Sequence, residues 1–522
     1  MNTGVQFFLV LLPMIAVFVG ILWLKRSGAE MAVLAVVLAG LIANWFFYTP
    51  GLVVLGAVIY GVLKSLGITV AVVLTMFMIF MMKESGALGT ISKAIGNVVE
   101  KREEQALFIG IGFGTFVTSL GVVTPALFPP LLMAMGFSPG AAVAVAVLGY
   151  NAATSFALLS IPVTLPASAF GMEVYTLTLK IALFLPVVST VISLAMLWIV
   201  GGWRSVREYC FPATLIGLII GVGAIILALF MFPIMVFGVA LGILGMASLW
   251  LYFKIHHRGA TRVKQKVDRH ELVRALSPWI ILIAIAAVVS IPDITAYLKT
   301  LDGDGFKSFW TAYKVVDLDI LVQPYTPIGV SILLSYPILK PTRQQVAAAA
   351  KVWSRRIWGP VIAYSLFFGL AYIMAFSAMQ WGEGELVPSS YYPDHNMNYI
   401  AGTTLASVFG IGYIFVAATL GLFGAIVGGS ETGSNMLFYG IQKQVSDKIG
   451  LNNSEFTTLY ASHANAGGVA SAITPSKINN AVATIGAGKG VESDIMVKHM
   501  AIVIFLTIII GIMCAIFIRF VP

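Results

Sequence analysis

The chain has 522 residues, of which 59% are hydrophobic and 10% charged, with a formal net charge of +9. A soluble domain carries roughly 25% charged residues, so this composition excludes one and points to a polytopic membrane protein. The basic surplus lies in short loops, as the positive-inside rule asks of cytoplasmic loops; the expected partner is the lipid bilayer and not nucleic acid. Cys210 and Cys514 stand far apart in sequence, which gives no disulfide framework.

A spanning helix needs about 20 apolar residues. Runs of that kind cover 5–24, 31–48, 52–82, 139–161, 176–200, 211–231, 234–253, 276–292, 323–339, 357–379, 453–475 and 496–520. The first is too long for a signal-peptide core and no small-residue cleavage site follows it, so it reads as a span. Two further regions, 106–135 and 414–447, are apolar but broken midway by polar residues. Each reads as a re-entrant helical hairpin. The expected fold is an all-α polytopic membrane protein of about twelve transmembrane helices plus two hairpins. Lys64 interrupts the long run 52–82; snorkelling to a membrane face is its ordinary account, and a ligand role is the alternative. Val346–Arg356 has the pattern of a short amphipathic surface helix; it, Leu88–Val99 and Ile400–Phe409 are the candidates for linking moving and fixed parts.

The basic loops at Lys25-Arg26, Lys101-Arg102, Arg204 with Arg207, 254–275 and Lys340–Arg356 all fall on one side only if the two hairpins do not cross the membrane. Both termini then lie outside the cytoplasm, and the hairpins enter from opposite faces. His256, His257 and His270 lie in the loop 254–275, but neither carboxylate nor Cys completes a metal-ligand set, so the loop reads as solvated.

The hairpin regions look like twins. Gly114 to Phe128 and Gly424 to Phe438 are both separations of 14, and Gly136 to Asn151 and Gly450 to Asn465 are both separations of 15. An inverted repeat follows. The chain divides into an N-terminal helix (1–30), a first repeat (31–200), a joining block (201–322) and a second repeat (323–522). Paired interrupted segments in two halves are the best sequence pointer to a transporter binding site.

Irregular Gly-rich backbone at membrane depth is tolerated only where protein buries it or it lines a cavity. A hairpin tip brings a helix N-terminus there, with free N–H groups and the positive end of the dipole, which suits a small carboxylate. In the first tip, Thr118-Ser119-Leu120-Gly121-Val122-Val123-Thr124-Pro125, Thr124 reads as N-cap and Pro125 as first helical residue. In the second, Gly429-Ser430-Glu431-Thr432-Gly433-Ser434-Asn435, the cap falls to Ser434 or Asn435. Breaks are also expected mid-helix at Asn151–Ser155 and at His463–Gly468. Any one hydroxyl here is accounted for by close helix packing; four clusters in two inverted pairs point to a site. The expected substrate contacts are Thr118, Ser119, Thr124, Asn151, Thr154, Ser430, Ser434, Asn435, Asn465 and Thr474. Glu431, the one acid in a tip, is the expected proton site, with His463 as a second proton-handling candidate.

The stretch Gly429–Phe438 resembles the lactate permease family's motif Gly-Ser-Asn-Thr-x-Ser-Asn-x-Leu-Phe. Gln442, Ala464-Asn465 and Gly467-Gly468-Val469 are similar to its downstream pattern. Thr124-Pro125, Gly136-Phe137, Asn151-Ala152 and Ile161-Pro162 are similar to its first-half signature. The resemblance covers nearly the whole chain. It implies a prokaryotic plasma-membrane importer of lactate and related 2-hydroxy monocarboxylates such as glycolate, coupled to protons and needing no cofactor. It also implies a wider relationship to two-hairpin, elevator-type anion transporters, for which a homodimer is one open assembly. The chain departs from the family at Glu431, where Asn is usual, and at Ser471-Ala472-Ile473-Thr474-Pro475, which replaces Lys-Met-Ile-Ser-Pro; Lys477 lies close by. The runner-up is a sodium-coupled di- or tricarboxylate transporter. An anion channel would want a ring of Arg or Lys, and an enzyme would want metal-ligand spacing or a nucleophile–base pair; the spans offer neither.

Overall fold

The computed structural model describes residues 2–96, 98–99, 101–256, 267–487 and 489–521. It is an all-α polytopic protein. Among the described residues the strands are Met379–Trp381 and Leu386–Pro388, paired antiparallel in one short hairpin. Among the described residues ten helices are long and apolar enough to cross a membrane, and Gly51–Lys64 and Tyr325–Leu339 are shorter apolar helices. Hydrocarbon offers no hydrogen-bond partner, so the helix is the form in which these apolar runs satisfy their own backbone.

Most expected spans are found within a few residues. The first is Thr3–Leu22, with the Asn2 side chain accepting from the Gly4 N–H; the second is Gly28–Phe46, opened by a reciprocal Ser27–Glu30 capping box. The region 52–82 differs. It is two helices, Gly51–Lys64 and Leu66–Glu84. Ser65 makes the joint: its hydroxyl donates to the Val62 carbonyl at 2.7 Å, competing with the backbone ladder. Lys64, partly buried, faces Asp317 and Asp319 of the loop ahead of Tyr325–Leu339. The acidic loop supplies countercharge to Lys64. The helix Leu185–Leu229 breaks at Gly201–Gly202, which separates the two spans expected there. The loop 254–275 is seen at its ends, where helices close at His256 and reopen at Arg269; His257 and the stretch to 266 lie outside the described residues.

Both hairpins fold back on themselves. The first rises through Arg102–Gln105, a π-helical stretch Ala106–Phe113 and Gly114–Ser119, turns at 120–123, and returns as Thr124–Ala134. Phe113 and Phe128, on opposite arms, stack at 5.7 Å. The second rises as Tyr413–Gly428 and returns as Glu431–Lys448, with Tyr413 bonded to Gln442 and Ser434 to Gly421 across the arms. The return arm of the first packs on Pro475–Thr484, and that of the second on Ala157–Phe170. Each hairpin therefore lies against a broken helix of the other half of the chain.

Candidate functional site

The second hairpin turns at Gly429, whose φ of 69° is left-handed, a conformation glycine takes without a Cβ penalty. Ser430 then caps the return arm by accepting from the Gly433 N–H at 3.0 Å. The cap is thus Ser430, not Ser434 or Asn435. An N-cap must sit in extended geometry just before the first helical turn, and only Ser430 does so. Glu431 is the first helical residue and is 2% exposed. Its Oε1 accepts from the Ser155 hydroxyl at 2.6 Å. Its Oε2 has no hydrogen-bond partner among the described residues.

Ser155 comes from the first broken helix. There Pro139–Leu148 gives way to a 3-10 stretch, Gly149–Phe156, with Ala153 out of helical geometry. Leu158, Leu159 and Ser160 then form a left-handed turn, a conformation that costs non-glycine residues roughly 1–2 kcal/mol each. Hydrogen bonds to neighbouring segments hold the break: the Ser189 hydroxyl donates to the Ala152 carbonyl at 2.6 Å, and the break's own Ser160 hydroxyl donates to the Ile234 carbonyl at 2.7 Å. Within it, Thr154 donates to Asn151 Oδ1 at 3.0 Å, and Asn151 Nδ2 donates to the Val147 carbonyl at 2.7 Å. Asn435 links the hairpin to the same segment by donating to the Pro162 carbonyl at 3.0 Å. Its Oδ1 is buried without a partner among the described residues.

The second broken helix differs from expectation. Asn453–Ala470 runs uninterrupted through His463–Gly468, and the break falls at Ser471–Thr474, ahead of Pro475. The two glycines serve packing: a Cβ on Gly468 would stand 2.8 Å from Glu431 Oε2 and 3.2 Å from Thr154 Cβ. At the true break, Lys477 donates to the Ser471 hydroxyl at 2.8 Å and lies 5.8 Å from the centre of the Tyr150 ring. Tyr364, on the helix Trp358–Phe376, lies near Ser430 and close enough to Lys477 to feel its charge.

One cluster thus gathers Asn151, Thr154, Ser430 and Glu431 among the expected residues, with Asn435 at its edge. Ser155, Ser471, Lys477, Tyr150 and Tyr364 belong to it and were not among the expected contacts, although the sequence marked Ser155 within the first break and Ser471 and Lys477 beside a departure from the family motif. Lys477, a charge two residues beyond a helix-opening proline, was the readable signal; Tyr364 carried none. Other expected contacts are committed to backbone. Ser119 donates to the Thr115 carbonyl, Thr124 to Ala146, Thr474 to Ala470, and Asn465 to Ala461 and Ile181. Thr124 is also not the cap expected of it: the N-cap position is Val123, without a side-chain bond. Thr118 Oγ1 is buried and unpartnered among the described residues.

His463 and Ser434 belong to a second, closed network. Gln442 Nε2 donates to His463 Nδ1 at 2.9 Å and to the Ala417 carbonyl, and Tyr413 bonds Gln442 Oε1 at 3.0 Å. That leaves the His463 proton on Nε2, 3.0 Å from the Ser434 hydroxyl, which donates in turn to Gly421. Both ring nitrogens are engaged, so the imidazole braces the hairpin against Asn453–Ala470. Among the described residues no group of three or more His, Cys, Asp or Glu is placed to hold a metal. The cluster offers one acid, one ammonium and several hydroxyls, a set suited to a small anion and a proton.

The sequence profile of the L-lactate permease family matches residues 6–521. The L-lactate permease of Salmonella typhimurium is 24% identical, over 94% of this chain and 92% of that protein. The glycolate permease GlcA of Escherichia coli is 22% identical, over 96% and 94%, and the L-lactate permease of the same organism is 23% identical, over 94% and 92%. The solved structure of Neisseria gonorrhoeae MtrF aligns over 98% of this chain and 94% of that one, at 12% identity and a TM-score of 0.40, too low a score to make the two folds the same.

Proposed function

We propose a cargo and a mechanism on one premise: the chain belongs to the L-lactate permease family. The cargo is lactate and related 2-hydroxy monocarboxylates such as glycolate, taken up together with a proton. Relatives spanning nearly the whole chain, an L-lactate permease and a glycolate permease, support that substrate class. The observation that carries the mechanism is Glu431, buried at the tip of one hairpin, held at one oxygen by Ser155 from the opposite half and unpartnered at the other. A charged carboxylate buried there is costly unless compensated, and a proton supplies the compensation while an anion occupies the same cluster. Glu431 is the proton carrier, and the substrate sits among Asn151, Thr154, Ser430 and Asn435. The segments 31–200 and 323–522 act as inverted repeats joined by 201–322, and alternating access moves the hairpins and broken helices against the remaining spans, with both termini outside the cytoplasm.

The test is radiolabelled lactate uptake into proteoliposomes under imposed proton or sodium gradients. An inward proton gradient should drive accumulation, replacing sodium by choline should change nothing, and glycolate should compete where citrate does not. Accumulation that needs sodium and yields to citrate would instead mark a sodium-coupled di- or tricarboxylate carrier.

A further inference from the structure

Lys477 is the charge for which this mechanism has so far given no task. It lies on Pro475–Thr484, against the return arm of the first hairpin. Its ammonium has three N–H donors, and one is spent on the Ser471 hydroxyl at 2.8 Å. Around it stand two phenols, the Tyr150 ring at 5.8 Å and Tyr364. Glu431 is the acid of the same cluster, near enough to act on Lys477 electrostatically. Yet the two form no ion pair: the pairs among the described residues all lie elsewhere. Glu431 spends one oxygen on Ser155, and its other oxygen is buried and unpartnered. Opposite charges in a buried cluster, each held by a serine instead of by the other, keep hydrogen-bonding capacity for a third polar group: the unpartnered Oε2 of Glu431 and the further N–H donors of Lys477. Tyr460 is the remaining titratable group facing Glu431.

We infer that Lys477 is the carboxylate anchor of the transport site, its ammonium taking the substrate carboxylate while the free oxygen of Glu431 meets the substrate's 2-hydroxyl. This rests on the reading that the cargo is a 2-hydroxy monocarboxylate. The charge count supports it. Lys477 and an ionised Glu431 sum to zero. A carboxylate added alone leaves the buried cluster at minus one, and a carboxylate added with a proton on Glu431 returns it to zero. Binding both passengers is the step that preserves neutrality, and Lys477 supplies the fixed positive charge that makes the count close.

The experiment is binding of radiolabelled lactate to the purified full-length protein, competed by unlabelled lactate, by lactamide (uncharged) and by propionate (no 2-hydroxyl). The wild type should prefer lactate to both. Lys477→Met should weaken lactate binding at least about tenfold, as expected for losing a charge-assisted hydrogen bond, and should abolish the preference over lactamide while keeping that over propionate. Lys477→Arg should restore most of the loss. Should Lys477→Met not fold, the charge-balanced pair Lys477→Met with Glu431→Gln takes its place, and it should bind lactamide as well as lactate. A wild type that binds no lactate overturns the cargo reading and this inference with it. A wild type that binds lactate beside a Lys477→Met protein with unchanged affinity and unchanged preference over lactamide overturns the anchor alone.

Discussion

Gly468 offers a test of the acid site through one added methyl group. An alanine Cβ there would stand 2.8 Å from Glu431 Oε2 and 3.2 Å from Thr154 Cβ, whereas unstrained carbon contacts lie at about 3.5–4.0 Å. The carboxylate must yield by several tenths of an ångström, and what it yields is the 2.6 Å bond from Ser155. Hydrogen bonds to charged groups are worth about 1.5–3 kcal/mol, so at about 1.4 kcal/mol per decade the expected loss in transport is about ten- to hundredfold. The gain in helix propensity of Ala over Gly, about 1 kcal/mol, offsets part of the same cost to folding, so uptake is compared at equal amounts of folded protein. Gly467 is the control. A Cβ there meets the Gly421 carbonyl at 3.4 Å and Glu431 Cγ at 3.7 Å, ordinary contacts that carry the same gain in helix propensity. The assay is initial lactate uptake in proteoliposomes, normalised to monodisperse protein by size exclusion. Gly468→Ala transporting like wild type, or Gly467→Ala failing equally, would refute the claim that the position of the Glu431 carboxylate governs activity.

Glu431→Gln keeps the side chain's shape and removes its capacity to carry a proton; proton-driven accumulation of lactate should vanish while lactate–lactate exchange persists, and undiminished accumulation would remove Glu431 from the coupling. Gly421→Ala drives a Cβ into the His463 carbonyl, so the first arm of the second hairpin must lift from Asn453–Ala470. Overpacking of this kind costs about 1–3 kcal/mol, and a thermal melt equal to wild type would contradict the packing. His463→Leu takes one hydrogen bond each from Ser434 and Gln442, which keep their bonds to Gly421, Ala417 and Tyr413, at about 0.5–1.5 kcal/mol per bond; the melt should fall while the proton-to-lactate ratio of the surviving activity stays unchanged, and a changed ratio would restore His463 to the proton path. In a Cys210→Ser background, which removes the exposed native thiol, Val123→Cys and Gly428→Cys place one thiol near each tip. Their reactivity toward an impermeant reagent should shift together when lactate is added, and static labelling would argue against moving hairpins.

Much of the architecture was legible because the bilayer enforces one rule everywhere: uninterrupted apolar runs are spans, and polar interruptions need protein around them. That rule located both hairpins and the break at Asn151–Ser155. It failed where a residue type has two uses. Gly467 and Gly468 looked like a helix break, yet the helix continues to Ala470, because the glycines admit Glu431 and Thr154 to close approach. The actual break at Ser471–Thr474 is set by Pro475. Ser65 parts two helices in a stretch whose hydropathy reads as one, since a single hydroxyl bonding back to the chain leaves apolar composition untouched.

The site was legible by region and not by atom, for a related reason. A hydroxyl in the sequence does not say whether it will bond its own backbone. Ser119 and Thr474 do so four residues back, as buried Ser and Thr commonly do in membrane helices, while Ser155 instead reaches Glu431 across 276 residues of chain. Charges carry a stronger signal, because burying one demands a counter-group. The family resemblance places Glu431 where an Asn is usual, and Ser471-Ala472-Ile473-Thr474-Pro475 where the family has Lys-Met-Ile-Ser-Pro, which removes one basic residue while Lys477 stands two residues past Pro475. Read singly, each is a departure from the motif. In three dimensions Glu431 and Lys477 fall in one cluster, an acid held by Ser155 and a base held by Ser471. Replacing Glu431 with the family's Asn would leave Lys477 uncompensated, so Glu431→Asn alone should lower the melting temperature more than Glu431→Asn together with Lys477→Met, and an equal or smaller drop for the single change would contradict the pairing.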